Sequence, residues 1–514
     1  MNKIYKIVWN AAQQAWVVVS ELARGHVKAS ATSTASNEAL SQNGALPLGK
    51  LGSGTLIGSV AVTLLTLSST AQAVIPEGTV VGSAIAAIGP SSVADSPGSV
   101  AIGDNAHAGA GGAGGNAYAF GSHANSSGTQ TFAIGTNSSA TGFITMALGD
   151  GARTSGGYAT ALGKDAYAKG QHVLALGSFA NATGNNSIAQ GLRANASGEF
   201  STAIGPEANA SGLGSVALGS RSRVTGNLAT AIGAGANATG ENSIALGLLA
   251  NATGLNATAL GAYASAGRNA LAQGYMAKAY GEAAISIGNM SSASSSYAIA
   301  QGSGANASGL ASIAIGNSTT ASNTSSIAIG SWANASGIYS IAQGQGASAT
   351  DWAAIAQGFN AKASYDAIAQ GETANALGRY SIAQGYSANA TGYSSSAQGF
   401  KATATGIFSI AQGAGSNAIG NYSIAQGYLA NASNPNGIAI GNASNASGGA
   451  SIAIGNASRT THYSAIAIGD VANASRGAIA IGNNVTAVDD SMALGREATA
   501  TGNGAIAHGG MTKA

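Results

Sequence analysis

Thirty-one glycines between Gly89 and Gly509 each close a triplet that opens on a small residue; of the 30 steps between them, 25 are 14 residues long, four are 13 and one is 18. The first residue of the triplet is Ala in 30 of the 31, with Ser286 the exception. A strict short period of this kind decides the fold before any other feature is weighed. Ser187-Ile188-Ala189-Gln190-Gly191 followed by Ala194-Asn195-Ala196-Ser197-Gly198 is a typical unit. Fourteen residues cannot hold a helix and its return, but they hold two short strands and two tight corners. Ser-Ile-Ala-Ile-Gly alternates with period two, placing the large side chains on one face and Ser, Ala and Gly on the other. Ala-Asn-Ala forms the second strand, with both alanines on one face. Glycine at the corners allows positive φ or close backbone approach. Stacked in register, the strands build an all-β parallel β-solenoid (a β-roll), which at about 4.8 Å per rung is a rod of roughly 140–150 Å. Only one face of the first strand can point inward. The other needs a partner, because an apolar surface of that length is not left open, so the chain is expected to associate with itself.

Composition agrees with a repeat and removes other classes. The chain has 514 residues, 77 of them Gly, with 5% aromatic and 7% charged residues and no Cys. Its apolar content is largely alanine, too small to build the core of several ordinary domains, while a net charge of +2 and a mean hydropathy of +0.17 do not fit a disordered chain. Beyond residue 50 there are 15 basic and 16 acidic residues, so no nucleic-acid partner is expected. The lack of cysteine excludes thiolate metal sites and thiol catalysis and suits a chain exported unfolded.

Residues 55–66 (TLIGSVAVTLLT) follow Lys50 and precede Ala71-Gln72-Ala73, the pattern of a signal peptide cleaved near Ala73. Residues 1–73 are therefore read as an extended signal segment for the export machinery, and 74–514 as the repeat body of about 31 coils. The opening MNKIYKIVWNAAQQAWVVVSELARG resembles the extended signal region of large Gram-negative autotransporters, and the repeat resembles the head of trimeric autotransporter adhesins of the YadA-like class. Asn186-Ser187-Ile188-Ala189-Gln190-Gly191 and Asn242-Ser243-Ile244-Ala245-Leu246-Gly247 are the copies nearest the family's matrix-binding motif. The resemblance implies a left-handed roll, a homotrimer and a surface adhesin on the outer membrane of a Gram-negative bacterium. Its expected partners are extracellular matrix proteins such as collagen, fibronectin or laminin, or other cells, including autoaggregation. No neck motif, heptad stalk or set of membrane strands is found, so neck, stalk and anchor are expected to lie outside these residues.

Other candidates are placed by phase within the repeat. Asn-x-Ser/Thr triplets at Asn181, Asn195, Asn209, Asn237, Asn251, Asn306, Asn334, Asn389, Asn431, Asn445 and Asn473 share one phase. A stacked amide ladder explains them better than glycosylation. Gln precedes the motif glycine at 190, 273, 301, 343, 357, 370, 384, 398, 412 and 426, and is read as a ladder in the roll interior or on a trimer axis. Twelve aromatics fall within 97 residues, beside the corners: Trp332, Tyr339, Trp352, Phe359, Tyr365, Tyr380, Tyr386, Tyr393, Phe400, Phe408, Tyr422 and Tyr428. They are candidate ligand contacts, as aromatic stripes mark interfaces; ring stacking that stiffens the corners is the alternative.

Gly109-Ala-Gly111-Gly-Ala-Gly114 has dinucleotide-loop spacing but no helix after it, and the five histidines beyond the signal segment are scattered. No catalytic residue, cofactor or metal is expected, and the chain is read as non-enzymatic. Two further readings are a spacer for a distal binding domain and an ice-binding solenoid, the latter opposed by the isolation of Thr129/Thr131, Thr403/Thr405 and Thr499/Thr501.

Overall fold

A computed structural model describes residues 5–10, 15–20, 78–80, 84–109 and 115–514. Near the N-terminus, Tyr5–Asn10 and Ala15–Ser20 pair as an antiparallel hairpin with Trp9 opposite Trp16. The signal-peptide apolar run and its cleavage site lie outside the described residues, as do residues 110–114 of the glycine-rich loop.

The repeat body is a solenoid with no helix among its described residues. Its first sheet stacks 31 parallel strands from Ala86–Ile88 to Ile506–His508, and its second stacks 31 from Thr79–Val80 to Thr499–Ala500. Register is strict: Ile188, Ala189 and Gln190 pair with Thr202, Ala203 and Ile204 one rung on. A 13-residue unit keeps that register, Thr258 pairing with Leu271, because the missing residue is taken from a corner.

The small face of each first strand points inward. Ala189, Ala194, Ala196 and Ala203 are fully buried, and the largest fully buried side chains among the described residues are valines, such as Val173 and Val224. Two-residue corners hold the sheets too close together for anything larger. At several rungs where the interior residue is Ser, its hydroxyl reaches a corner carbonyl, as Ser243 Oγ does to Gly240 O at 2.6 Å and Ser201 Oγ to Gly198 O at 2.6 Å. Corners set the second constraint. Gly205 has φ +127°, and a Cβ there would lie 2.7 Å from the carbonyl oxygen of Gly219 on the next rung. Each corner also carries a residue in the left-handed region, including bulky ones such as Trp332 at φ 57°.

The asparagine ladder is present on the outside of the second sheet. Asn181 donates to Asn195 at 2.8 Å and Asn195 to Asn209 at 3.1 Å. The run Asn417–Asn431–Asn445 is joined likewise at 3.3 and 3.0 Å. Asn195→Ala removes two of these amide bonds and is expected to cost about 1–2 kcal/mol, read as a lower denaturant midpoint.

Of the two places read for the Gln column, one is excluded. The Gln column does not lie in the roll interior: eight of its ten members are exposed and Gln357 and Gln398 are half-buried. The roll is filled by alanine methyls, so a five-heavy-atom side chain has no room inside. Outside, Gln384 donates to Gln370 at 3.0 Å and Gln357 to Gln343 at 3.4 Å.

Candidate functional site

The flattened roll presents two broad faces and two narrow edges. The first sheet turns the large member of each alternating pair outward, forming two columns two residues apart, the first mostly apolar and the second apolar except where the ten Gln and His508 stand. Ile244, Leu246, Ile329, Ile382 and Ile410 are 37–43% exposed there. With strand neighbours about 4.8 Å apart and alternate residues about 6.6 Å apart, 31 rungs make a strip on the order of 1,000 Å², about three quarters of whose positions are apolar. That exceeds the largest apolar patch of an ordinary monomer.

The matrix-motif copies are divided by this geometry. Ser187, Ala189, Ser243 and Ala245 are fully buried, and Gly191 and Gly247 meet the backbone of the next rung. Only Asn186, Ile188, Gln190, Asn242, Ile244 and Leu246 turn outward. Asn186 and Asn242 stand at a corner with φ 56° and 54°.

All twelve aromatics sit at corners and are exposed by 41–61%, but they fall on two different edges. Trp332, Phe359, Tyr386, Phe400 and Tyr428 follow motif glycines, on the edge between first and second strand. Tyr386 stacks on Phe400 at 5.2 Å, and Lys401 Nζ lies 5.2 Å from the Phe400 ring. The other seven, Tyr339, Trp352, Tyr365, Tyr380, Tyr393, Phe408 and Tyr422, occupy the opposite edge, one per rung on seven consecutive rungs. Ring contacts join most of them: Tyr339–Trp352 at 5.4 Å, Tyr380–Tyr393 at 5.6 Å, Tyr393–Phe408 at 5.5 Å and Phe408–Tyr422 at 5.6 Å. Arg379 bridges the middle, its Cζ 4.5 Å from the Tyr365 ring and 4.7 Å from that of Tyr380. The sequence count of aromatics did not single out Arg379; its phase, one residue before Tyr380, was the available signal. A shorter column, Phe143–Tyr158–His172, occupies the same edge nearer the N-terminus.

Histidines keep local company. His107 contacts Asp95 at 3.2 Å and Asn125 at 3.4 Å, and His462 contacts Thr461 at 2.9 Å. Among the described residues no group of three or more His, Cys, Asp or Glu could hold a metal ion.

Comparison with known proteins gives this geometry a family. The YadA head domain repeat matches in sixteen segments spread from residue 86 to residue 510. The chain belongs to the YadA-like trimeric autotransporter adhesins. Residues 1–50 match the extended signal peptide of the type V secretion system, so this adhesin is an exported cell-surface protein of the outer membrane. It is similar to the autotransporter adhesin NhhA of Neisseria meningitidis serogroup B, 73% identical over 33 residues, which is 6% of each protein. It is also similar to the trimeric autotransporter adhesin AtaA of Acinetobacter sp. strain Tol 5, 56% identical over 43 residues, 8% of this chain and 1% of that protein. The matches thus span only a small part of these relatives.

Proposed function

We propose that residues 74–514 form the head of a homotrimer that attaches the cell to extracellular matrix proteins such as collagen, fibronectin or laminin, or to other cells. Three copies pack through the apolar columns of the first sheet, which removes the strip from water. The edges then face outward, and the aromatic segment 332–428 supplies the contact surface. The observation that carries this reading is the column of seven exposed rings on consecutive rungs. Tyr and Trp bring large contact area at low entropic cost and dominate binding hot spots. Asn186 and Asn242, exposed at a corner in the two matrix-motif copies, add contacts outside that segment. Three chains presenting the same strip convert weak individual contacts into avidity. Catalysis has no place in this reading.

The test is binding of the purified exported chain to immobilised collagen, fibronectin and laminin, with its mass in solution measured alongside. A trimer with saturable binding to at least one of them is expected. Serine at the twelve aromatic positions is expected to weaken binding at least tenfold while the mass and far-ultraviolet spectrum stay unchanged. A folded trimer that binds none of the three and no cells would overturn the adhesive reading and favour a spacer.

A further inference from the structure

Charge is sorted on the repeat body. Every Asp and Glu from Asp104 onward stands at a corner, on one edge or the other. The outer face of the second sheet carries none from Asn125 to Thr501, either at the first outward position of each strand or at the one two residues on. Most of these positions hold Asn, Ser or Thr, and six hold cations: Arg153, Lys169, Arg223, Lys278, Lys362 and Arg459. None of the six joins an ion pair among the described residues. Where Asn takes the first position it is half-buried, whereas all six cations are exposed.

Two of these cations break the ladder at a cost. Arg223 pairs in register with Asn237 and Lys362 with Asn375, and both Asn237 Oδ1 and Asn375 Oδ1 are buried without a hydrogen-bond partner. Asn in place of either cation would extend the ladder and satisfy that oxygen, so the chain forgoes a bond that its own repeat supplies. Local rules are broken in this way at functional sites. Two surface depressions, of about 470 and 480 Å³, lie on this face, and each contains one of the cations. The first sets Arg153 among Ser139, Thr141, Ser155 and Tyr167, with Asp165 at the corner side. The second sets Lys362 beside Asn360, Thr373 and Asn375.

Spacing names the ligand class. Arg153, Arg223, Lys278, Lys362 and Arg459 stand five, four, six and seven rungs apart, which at the strand spacing is roughly 20–35 Å per gap. Charges are screened beyond about 8–10 Å, so a small anion meets one cation at a time. Only a chain long enough to reach several cations sums their attraction. Between the cations the face offers amides and hydroxyls, which suit a ligand that brings hydroxyls of its own. A linear glycan also advances by a step per sugar similar to the rung spacing. Nucleic acid fits less well. Duplex DNA carries a charge about every 1.7 Å and would press against the carboxylates of both edges. For stacking bases this face has only Tyr167 and Tyr280 among its outward residues from Asn125 to Thr501.

We propose that the outer face of the second sheet binds a linear acidic polysaccharide lengthwise, its carboxylate or sulfate groups at the cations and its hydroxyls along the Asn, Ser and Thr columns. This face is distinct from the aromatic edges, so the site goes beyond the contact surface proposed above. It rests on that reading in one respect, that the trimer seam is on the first sheet and leaves the second turned outward.

The purified exported chain is tested on immobilised chondroitin sulfate, standing for host glycans, and on alginate, standing for bacterial matrix polysaccharide. Saturable binding to one or both is expected at physiological salt, falling steeply as salt rises, and neutral dextran should not compete. Whichever is retained names the source. The variant R153N/R223N/K278N/K362N/R459N puts the ladder's own residue at each first-position cation. It should bind at least tenfold more weakly, with a shallower salt dependence and a denaturant midpoint no lower than that of the wild type. R221N/R268N/R476N/R496N removes four cations from the corners instead and should change binding less than threefold. A wild type that binds neither polysaccharide, or a face variant that binds no more weakly than the corner variant, overturns the proposal. Duplex DNA that competes as well as the polysaccharides per unit charge would also overturn it, by making the face a general polyanion surface. If the face variant does not fold, R153N and K362N singly carry the test. Each should weaken binding at least twofold, and no change in either overturns the proposal. Matrix proteins keep the two readings apart, because the face variant should bind collagen, fibronectin or laminin as the wild type does. Polysaccharide binding by a chain that binds no matrix protein and no cells would leave this site standing and remove the aromatic contact surface.

Discussion

Cysteine placed at Ile313 or Ile315 is expected to link chains to one another on mild oxidation, giving a dimer band under non-reducing conditions where the unmodified chain gives only monomer. The chain has no cysteine of its own, so the background is nil. Ile313 and Ile315 belong to the two outward columns of the first sheet, with Ala314 between them turned inward and fully buried. If these columns form the seam between three chains, the column nearer the axis brings equivalent Cβ atoms toward the 3.5–4.5 Å that a disulfide requires. At least one of the two positions should therefore cross-link efficiently, two chains of each three becoming joined. Asn334→Cys, on the outer face of the second sheet, is the control and should remain monomeric on the gel. Efficient linkage at Asn334 with none at 313 or 315 would place the seam on the opposite face.

Gly385→Val is expected to split the rod into two bodies that melt and are digested separately. The backbone there has φ +130°, a region that a β-branched residue rarely enters, and a Cβ would lie 2.5 Å from the carbonyl oxygen of Gly399. That atom belongs to the next rung's backbone and cannot swing aside. Strain and clash together should cost more than about 3 kcal/mol. A globular domain would spread that loss over its whole cooperative unit. A solenoid does not, because each rung is held only by its two neighbours. Brief proteolysis should cut near residues 385–399 and leave two resistant fragments, while Ser387→Ala on the same edge should leave the chain intact. Uniform resistance in the valine variant would show that the rungs can part at this corner without loss of register.

Much of this architecture was legible in the repeat. Glycine spacing gave the rung, the alternation in Ser187–Gly191 gave the strand, and the shared phase of Asn181, Asn195 and Asn209 gave a ladder that the structure displays. The direction of the first strand was not legible, since Ala189 and Ile188 are both apolar and either could face the core. Corner length decides it: two residues span so little that only methyl-sized groups fit between the sheets. The same cause put Gln343 to Gln426 outside. Division of the aromatics between two edges was available in principle, because Tyr386 follows a motif glycine while Tyr380 precedes a Ser-Ile strand. A count within a window of residues merges the two phases.

The backbone hydrogen bonds between rungs, such as Gly385 N to Gln370 O and Ser387 N to Glu372 O, run along the rod and give it a mechanical character. Tension applied to one terminus loads only the outermost rung, whose bonds must break together before the next is touched. Each released rung turns about 4.8 Å of rod into some 14 residues of extended chain, roughly 45 Å longer. A tethered cell pulled by flow would thus gain length in repeated equal steps at nearly constant force, and the attachment would yield like a ratchet paying out line before the contact at its tip lets go.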